Sequence, residues 1–409
     1  MGRNARFLPP VPPVDLESAY VKIVMTAMVR DEADVIGAML SHHREQGIDH
    51  AIVTDNGSID GTTEILREFE RDGFVTLWSD PVHRKQQHAS VTAMARHAAT
   101  ELGAEWVINA DADEFWISVD GSRSVREVID AVPHEVTSFV ATVTNLTGPP
   151  AREGSGISRL VYRDCRTQEE IERTGIPFHP TANSVHRGHP EVVVSQGNHF
   201  VSAGGWGPTS PPQGLEVLHL PWRSWAQYRH KVRVSGEAYT SNPELAPSPR
   251  HHGMQDYRRL IAGRLEAVYV AKHPLASEYE GYLESGSLRR EERLVRLASE
   301  APFMRLDRAY ESSELARLQE LGRALTVVES EYEPILHDLR EKNASLLGDR
   351  NRLAARVDEL EVRLEGSELL LERALEAEKL VRSYQGRKAV RAADALGAVL
   401  DRARSLVTR

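Results

Sequence analysis

One cysteine, Cys165, stands in a chain of 409 residues, so no internal disulfide staples the fold and no cysteine pair offers a zinc site. That usage fits a reducing, cytoplasmic setting. The chain has no apolar run of the roughly 18 residues that a membrane-spanning helix needs. The N-terminus passes through Pro9, Pro10, Pro12 and Pro13 with no apolar stretch, so no secretion signal is expected. Gly2 does not start a myristoylation motif, because Arg6 stands where that motif wants Ser or Thr. Basic residues are outnumbered, with 50 Lys and Arg against 60 Asp and Glu. A net charge of −10 argues against a general nucleic-acid binder, whose phosphate contacts demand a basic face. With 41% hydrophobic residues, a chain of this length buries one large core and has residues left for a second element.

The first half alternates strands with helices. Residues 21–29 form an apolar, partly β-branched run that stops at Arg30, Asp31 and Glu32. Val35, Ile36, Met39, Leu40 and His43 then recur at helical spacing, with Asp31 as the expected cap and Gly47 as the expected left-handed terminus. A second strand over 51–54 ends in the turn-rich segment 55–62 and opens a helix through Ile65, Leu66 and Phe69 to Gly73. A strand at 75–78, a helix at 88–102 and a strand at 106–110 complete the pattern. Strands each separated by one helix imply right-handed crossovers, an α/β class and a mostly parallel sheet covered on both faces.

The most informative stretch is the end of that fourth strand. Asn109, Ala110, Asp111, Ala112, Asp113, Glu114 and Phe115 put two aspartates one residue apart where an apolar run stops. Open α/β sheets bind ligands at this carboxyl edge. Paired carboxylates repel unless a hard cation lies between them, and Mg²⁺ or Mn²⁺ takes one or two such ligands with the rest from phosphate and water. The same edge gathers Arg30 and Glu32 with Asp55, Asn56, Ser58 and Asp60, so one pocket can form. There Asp55 can accept from the N–H of a base such as uracil or guanine.

Met28-Val-Arg-Asp-Glu32, then Asp55-Asn-Gly-Ser-Ile-Asp-Gly-Thr62, then Asn109-Ala-Asp-Ala-Asp-Glu-Phe115 resemble the successive motifs of family-2-type glycosyltransferases of the GT-A fold, a Rossmann-like mostly parallel sheet with helices on both faces. The closest subgroup is the one whose metal motif reads Asp-x-Asp-Glu-Phe, and the likeness covers roughly residues 20–240. It implies an inverting, metal-dependent sugar transfer from a nucleotide-sugar donor, UDP- or GDP-linked, to a glycan or lipid-linked acceptor. It implies Asp55 as a base contact, Asp111 and Asp113 as metal-site residues with Asp111 also near the donor, and Mn²⁺ or Mg²⁺ as cofactor. Arg30 replaces the Asn common in the first motif. Arg84, Lys85, Gln86 and Gln87 stand where the family often carries basic or amide residues facing the donor. By the same analogy His219 completes the metal shell or contacts the diphosphate, with Arg223 nearby.

Beyond residue 143 the βα rhythm gives way to Pro, Gly and His, the composition of loops that carry specificity. Residues 185–194 and 197–200 read as two antiparallel strands with ligand-facing loops. Inverting transfer needs a base for the acceptor hydroxyl, and Glu191, His199 and Glu114 all remain open for it, with Glu191 and His199 ranked together. The His-x-x-His of His186 and His189 lacks the helical Glu of a zinc protease and reads as a surface strand pair.

From Ser313 onward Gly and Pro become scarce. With Leu336 at position a, the a series runs Leu336, Asn343, Arg350, Val357, Leu364, Leu371, Glu378 and the d series Leu339, Leu346, Leu353, Leu360, Ser367, Ala374, Val381. Ten of these fourteen positions are apolar, a repeat sustained long enough for a coiled coil and so for a homodimer. The alternative is an amphipathic helix folded back on the catalytic domain. The basic residues of 383–409, among them Arg387, Lys388 and Arg391, with Val390 and Leu396 suit peripheral contact with an anionic membrane face. The expected organisation is a Pro-rich tail over 1–19, a GT-A domain over 20–275, a helical linker over 276–329, a coiled coil over 330–382 and a basic amphipathic tail over 383–409. The expected setting is cell-surface glycan synthesis at the inner face of the membrane. Two rival readings stand beside it. One is a metal-dependent nucleotidyltransferase, which would release pyrophosphate; the other is a non-catalytic coiled-coil scaffold with a degenerate α/β domain.

Overall fold

In a computed structural model describing residues 22–81, 87–240, 252–300 and 305–407, the four N-terminal apolar runs lie side by side as parallel strands. They are β1 (Ile23–Val29), β2 (His50–Asp55), β3 (Val75–Ser79) and β4 (Trp106–Asn109), in the spatial order β3-β2-β1-β4. Between them run α1 (Ile36–Glu45), α2 (Thr62–Arg71) and α3 (Gln87–Thr100). Successive strand residues point to opposite faces, and the helices follow that alternation. Met25, Val53 and Ile108 pack with Met39, Leu66 and Phe69 of α1 and α2, whereas Val24, Ile52 and Val107 pack with Val91, Met94 and Ala98 of α3. Both faces are therefore covered, as continuous apolar runs require.

Gly47 and Gly73, just past the ends of α1 and α2, have φ of +86° and +77°, the left-handed turn that only glycine adopts cheaply. Asp31 does not cap α1. It lies five residues ahead of the helix at φ +55°, its carboxylate turned to the neighbouring loop, and the helix starts without a side-chain cap at Val35.

The rest of the sheet mixes directions. After β4 the chain makes β5 (Glu114–Ser118) and β6 (Ser138–Thr147), and the strand Asn183–Arg187 inserts antiparallel between β4 and β6. The strand Leu215–His219 pairs antiparallel with β5 and parallel with β6, which sets His219 opposite both Glu114 and Asn145. Trp106, Phe115, Trp116 and Phe139 are fully buried around these strands, and a side chain of Phe size contributes roughly 1.5–3 kcal/mol on burial. The edge that carries the site is thus the rim of the best-packed part of the core.

Two expectations change here. The 185–200 region is not one hairpin: residues 183–187 join the main sheet, and only Val193–Val194 with Val201–Ser202 form a short antiparallel pair. Gly188 accounts for the turn between them, since a Cβ there would lie 1.9 Å from the carbonyl oxygen of Ala104. Nor is 276–329 a linker. Leu288–Arg290 pairs with Tyr162–Asp164 at the sheet edge, and Leu288, Leu294, Leu297, Tyr310 and Leu318 are buried, so the segment supplies core.

The chain divides into two compact units, residues 1–330 and 331–409. A continuous helix runs from Ser312 to Val407, and in the second unit the heptad seam is bare, with Leu346 66% and Leu353 67% exposed. Among the described residues no helix is long and apolar enough to cross a membrane.

Candidate active site

The carboxyl ends of β1, β2 and β4 deliver three loops to one edge, and the first two are sewn together by their own side chains. Ser58 Oγ accepts from the Asp31 N–H (3.0 Å), Thr62 Oγ1 from the Glu32 N–H (2.8 Å) and Asp60 Oδ2 from the Ala33 N–H (3.0 Å). In return Asp31 Oδ1 accepts from the Ile59 N–H (2.7 Å), and Arg30 donates to the Asn56 carbonyl (2.7 Å). Asp55 closes its own loop, one oxygen taking the Ser58 N–H (2.9 Å) and the other the Thr63 hydroxyl. The polar residues of this turn-rich stretch, read in the sequence as ligand contacts, are the fasteners of the pocket wall.

At the end of β4 the two aspartates meet different partners. Asp113 is buried, and its Oδ2 accepts from Arg223 Nη1 (3.2 Å) and Lys231 Nζ (3.1 Å). Burial pushes its pKa up, but neighbouring positive charge, Lys231 foremost, overrides this and holds it well below the usual carboxylate range. Among the described residues the Asp111 carboxylate accepts from neutral amides, Gln87 Nε2 at 2.9 Å and Asn198 Nδ2 at 3.2 Å, and burial together with the charge of Asp113 raises its pKa. Nε2 of His219 lies 3.7 Å from Asp113 Oδ1, too far to donate to it, while its Nδ1 is 2.9 Å from Asn145 Oδ1. An amide oxygen only accepts, so Nδ1 carries a proton, and Nε2 is the ring nitrogen on the Asp113 side.

Among the described residues, no group of three or more His, Cys, Asp or Glu is gathered closely enough to hold a metal ion by itself. The donor chemistry of Asp111, Asp113 and His219 nevertheless suits a hard divalent cation that takes few protein ligands and completes its shell from a diphosphate and water. The half-buried Asp111, held among the described residues by neutral amides, is the group that gains most from such an ion.

Arg223 is fully buried and enclosed by Asp34 (2.9 Å), Asp113 (3.2 Å) and Glu32. It locks the first and third loops together and has no exposed face for a diphosphate, so the expected donor contact becomes an internal brace. Glu32, its partner, is pushed up to about 7 by burial, which outweighs Arg223. His230 donates to Asp31 (2.7 Å), fixing the helix Trp225–Thr240, the source of Lys231, against the same rim.

A second relay runs behind Asp111. Asn183 Nδ2 donates to both oxygens of Glu114 (2.8 Å each), Glu114 Oε2 accepts from the Asp111 N–H (3.0 Å), and Asn183 Oδ1 accepts from His199 Nδ1 (3.2 Å). Because the Asn183 amide is oriented by Glu114, His199 donates from Nδ1, which leaves Nε2 as the nitrogen that can face a substrate. Glu114 is buried, and burial with the charge of Asp111 raises its pKa well above the ordinary value.

The structure thus brings Arg30, Glu32, Asp55, Asn56, Ser58, Asp111, Asp113, Glu114, His199, His219 and Arg223 to one edge. Glu191 is not among them. It is exposed, and its carbonyl is 3.5 Å from Arg96, nine residues along α3 from Gln87, which is roughly 13 Å at 1.5 Å per residue. Arg84, Lys85 and Gln86 lie outside the described residues. Sequence reasoning left Asp34, Asn145, Asn183, Asn198 and His230 out of the site. Lys231 was not assigned to it either.

Residues 23–203 match the model of glycosyltransferase family 92, a stretch that runs from β1 past Asn198 and His199. No curated protein matches the chain. Among solved structures, residues 1–349 of TarS from S. aureus align at 12% identity over 65% of this chain and 77% of that one, with a TM-score of 0.32. The same protein in complex with UDP-GlcNAc aligns at 11% over 65% and 78%, with a TM-score of 0.32. Glucosyl-3-phosphoglycerate synthase from Mycobacterium tuberculosis, solved with Mn²⁺, UDP and glucosyl-3-phosphoglycerate, aligns at 14% over 42% and 58%, with a TM-score of 0.24. It is the family match, and not these remote likenesses, that speaks to function: the chain carries a glycosyltransferase domain.

Proposed function

We propose that this glycosyltransferase moves a sugar from a nucleoside-diphosphate donor to an acceptor hydroxyl with inversion, using Mn²⁺ or Mg²⁺, and works as a homodimer joined through the heptads. One observation carries the reading. In a glycosyltransferase domain, Asp111 and Asp113 leave the central strand β4 at the rim shared with the Arg30–Asp34 and Asp55–Thr62 loops, with Nε2 of His219 3.7 Å from Asp113 Oδ1.

The base and ribose of the donor lie along the Asp55 loop, whose cross-bonded wall is rigid before any ligand arrives. Asp111, Asp113 and His219 would hold the divalent ion, which would supply charge neutralisation for the leaving diphosphate. Arg223 keeps Asp113 in place, and the Gln87 and Asn198 amides do the same for Asp111. His199 is the base: its Nε2 takes the acceptor proton as the hydroxyl oxygen bonds the anomeric carbon and the bond from that carbon to the diphosphate oxygen breaks. Glu114 does not compete for this role, because Asn183 and the Asp111 amide occupy both its oxygens inside the core.

The test is donor turnover. Full-length protein incubated with UDP- or GDP-sugars and Mn²⁺ should release the nucleoside diphosphate, and neither Asp113→Asn nor chelator-treated protein should do so. Release that survives both would remove the metal from the reaction. Pyrophosphate from a nucleoside triphosphate would favour the nucleotidyltransferase reading.

A further inference from the structure

We propose that Lys231 is a resident counter-ion for Asp113, and that a divalent cation entering the site displaces its ammonium toward the diphosphate of the donor. The inference rests on the reading of Asp111 and Asp113 as the metal-bearing pair.

Asp113 Oδ2 is shared by two cations of unequal freedom. Arg223 is fully buried and its guanidinium is spread over Glu32, Asp34 and Asp113, so it cannot leave without stranding three carboxylates. Lys231 is the opposite case. Its side chain is 50% exposed, and the salt bridge it makes is the 3.1 Å contact with Asp113. An ammonium on a flexible four-carbon stem can swing where a braced guanidinium cannot.

The cation also sits where it would obstruct a metal. Asp113 has its other oxygen facing His219 Nε2, and among the described residues Asp111 has no cationic hydrogen-bond partner, so an incoming ion would settle between groups one side of which Lys231 already neutralises. A doubly charged ion held by Asp111 and Asp113 would cancel the negative charge that keeps the ammonium at Asp113, so Lys231 would lose most of the attraction that holds it there. Once released toward the exposed rim, the ammonium meets the one anion expected there, the donor diphosphate, for which a lysine is a natural point-charge partner. One side chain thus stabilises the empty site and then serves the loaded one, which couples metal entry to donor binding.

The coupling is read by binding rather than by turnover, with Mn²⁺ alone and then with inorganic pyrophosphate on Mn²⁺-saturated protein. In Lys231→Met, Mn²⁺ alone should bind about tenfold tighter or more, by electron paramagnetic resonance titration of full-length protein. Pyrophosphate should bind about tenfold weaker or more, by calorimetry. Lys231→Arg keeps the charge and should stay within a few fold of wild type in both. Thermal melts confirm that the half-exposed position tolerates the changes. Mn²⁺ affinity that does not rise in Lys231→Met, or pyrophosphate affinity that does not fall, overturns the proposal. Asp113→Asn separates this failure from that of the underlying reading. If Asp113→Asn loses Mn²⁺ while Lys231→Met behaves as wild type, only the counter-ion role falls. If Asp113→Asn binds Mn²⁺ as wild type does, the metal assignment falls and takes this inference with it.

Discussion

Oδ1 of Asn183 lies 3.2 Å from Nδ1 of His199, and the same amide gives its protons to Glu114. A neutral side chain therefore decides which nitrogen of the candidate base is free. The strand Asn183–Arg187 supplies the amide because it pairs with β4, the strand that runs into Asp111 and Asp113.

Replacing Asn183 with Leu should remove the tautomer lock while leaving His199 in place. Positioned acid–base groups contribute about 10²–10⁴-fold, so a loss of ten- to a hundredfold in kcat with KM for the donor little changed is the expected result. A steady-state comparison of Asn183→Leu with His199→Gln checks it. Equal loss in KM and none in kcat would mean that the amide braces the donor pocket instead.

The strands and the rim of the site were legible in the sequence because both have local signals. Apolar runs mark β1 to β4, and each ends in a polar cluster whose place at the carboxyl edge follows from the parallel order. What was not legible is tertiary. Arg223 meets Asp34 across 189 residues of sequence and Asp113 across 110, and no periodicity reports such a pairing. Asn183, Asn198 and Asn145 are neutral amides with no charge pattern to betray them, although each orients a group that the motifs did reveal. Glu191 stayed open as a base because it lies in the half of the chain expected to meet the acceptor. The turn at Gly188 sends it down α3 instead.

Acid should destabilise the fold through two histidines of α1. His42 donates from Nε2 to the Trp116 carbonyl (2.8 Å), and His43 Nε2 accepts from the Trp116 N–H (3.2 Å), so both splint β5 in the neutral form. Burial pushes His42 down to about 4 and His43 to about 3, against an ordinary value of 6.5. Between those values and 6.5 the unfolded chain binds more protons than the folded one, so stability is intact above pH 6.5 and drains away as the pH falls toward 4. Each histidine withdraws at most about 1.4 kcal/mol per pH unit across that window. Glu32, held up to about 7, works in the opposite direction over the same range. The histidine share is therefore read from the difference between wild type and His42→Gln in urea unfolding at pH 7.5 and 5.0. The variant should be less stable at pH 7.5 and lose less on acidification, and parallel losses in the two proteins would refute the assignment.

The heptad segment should make the protein a dimer. Leu346, Leu353, Leu360 and Leu364 of the second unit are 66%, 67%, 49% and 61% exposed, and a leucine seam left to water costs roughly 1.5–3 kcal/mol for each side chain that a partner would otherwise bury. Asn343 at an a position costs stability but sets register, and favours few strands in one alignment over a broader assembly. Light scattering should therefore give twice the chain mass for the full-length protein and one chain mass for a variant ending at Ser330, where the first compact unit closes. Every residue assigned to the site lies within that unit, so the shortened protein should still turn over its donor. Leu346→Ser with Leu353→Ser places two hydroxyls on the seam and should raise the dimer dissociation constant by at least a hundredfold without touching the melting of the catalytic unit. A full-length protein that scatters as a monomer, or a double variant that dimerises as tightly as wild type, would show that these leucines are not the interface.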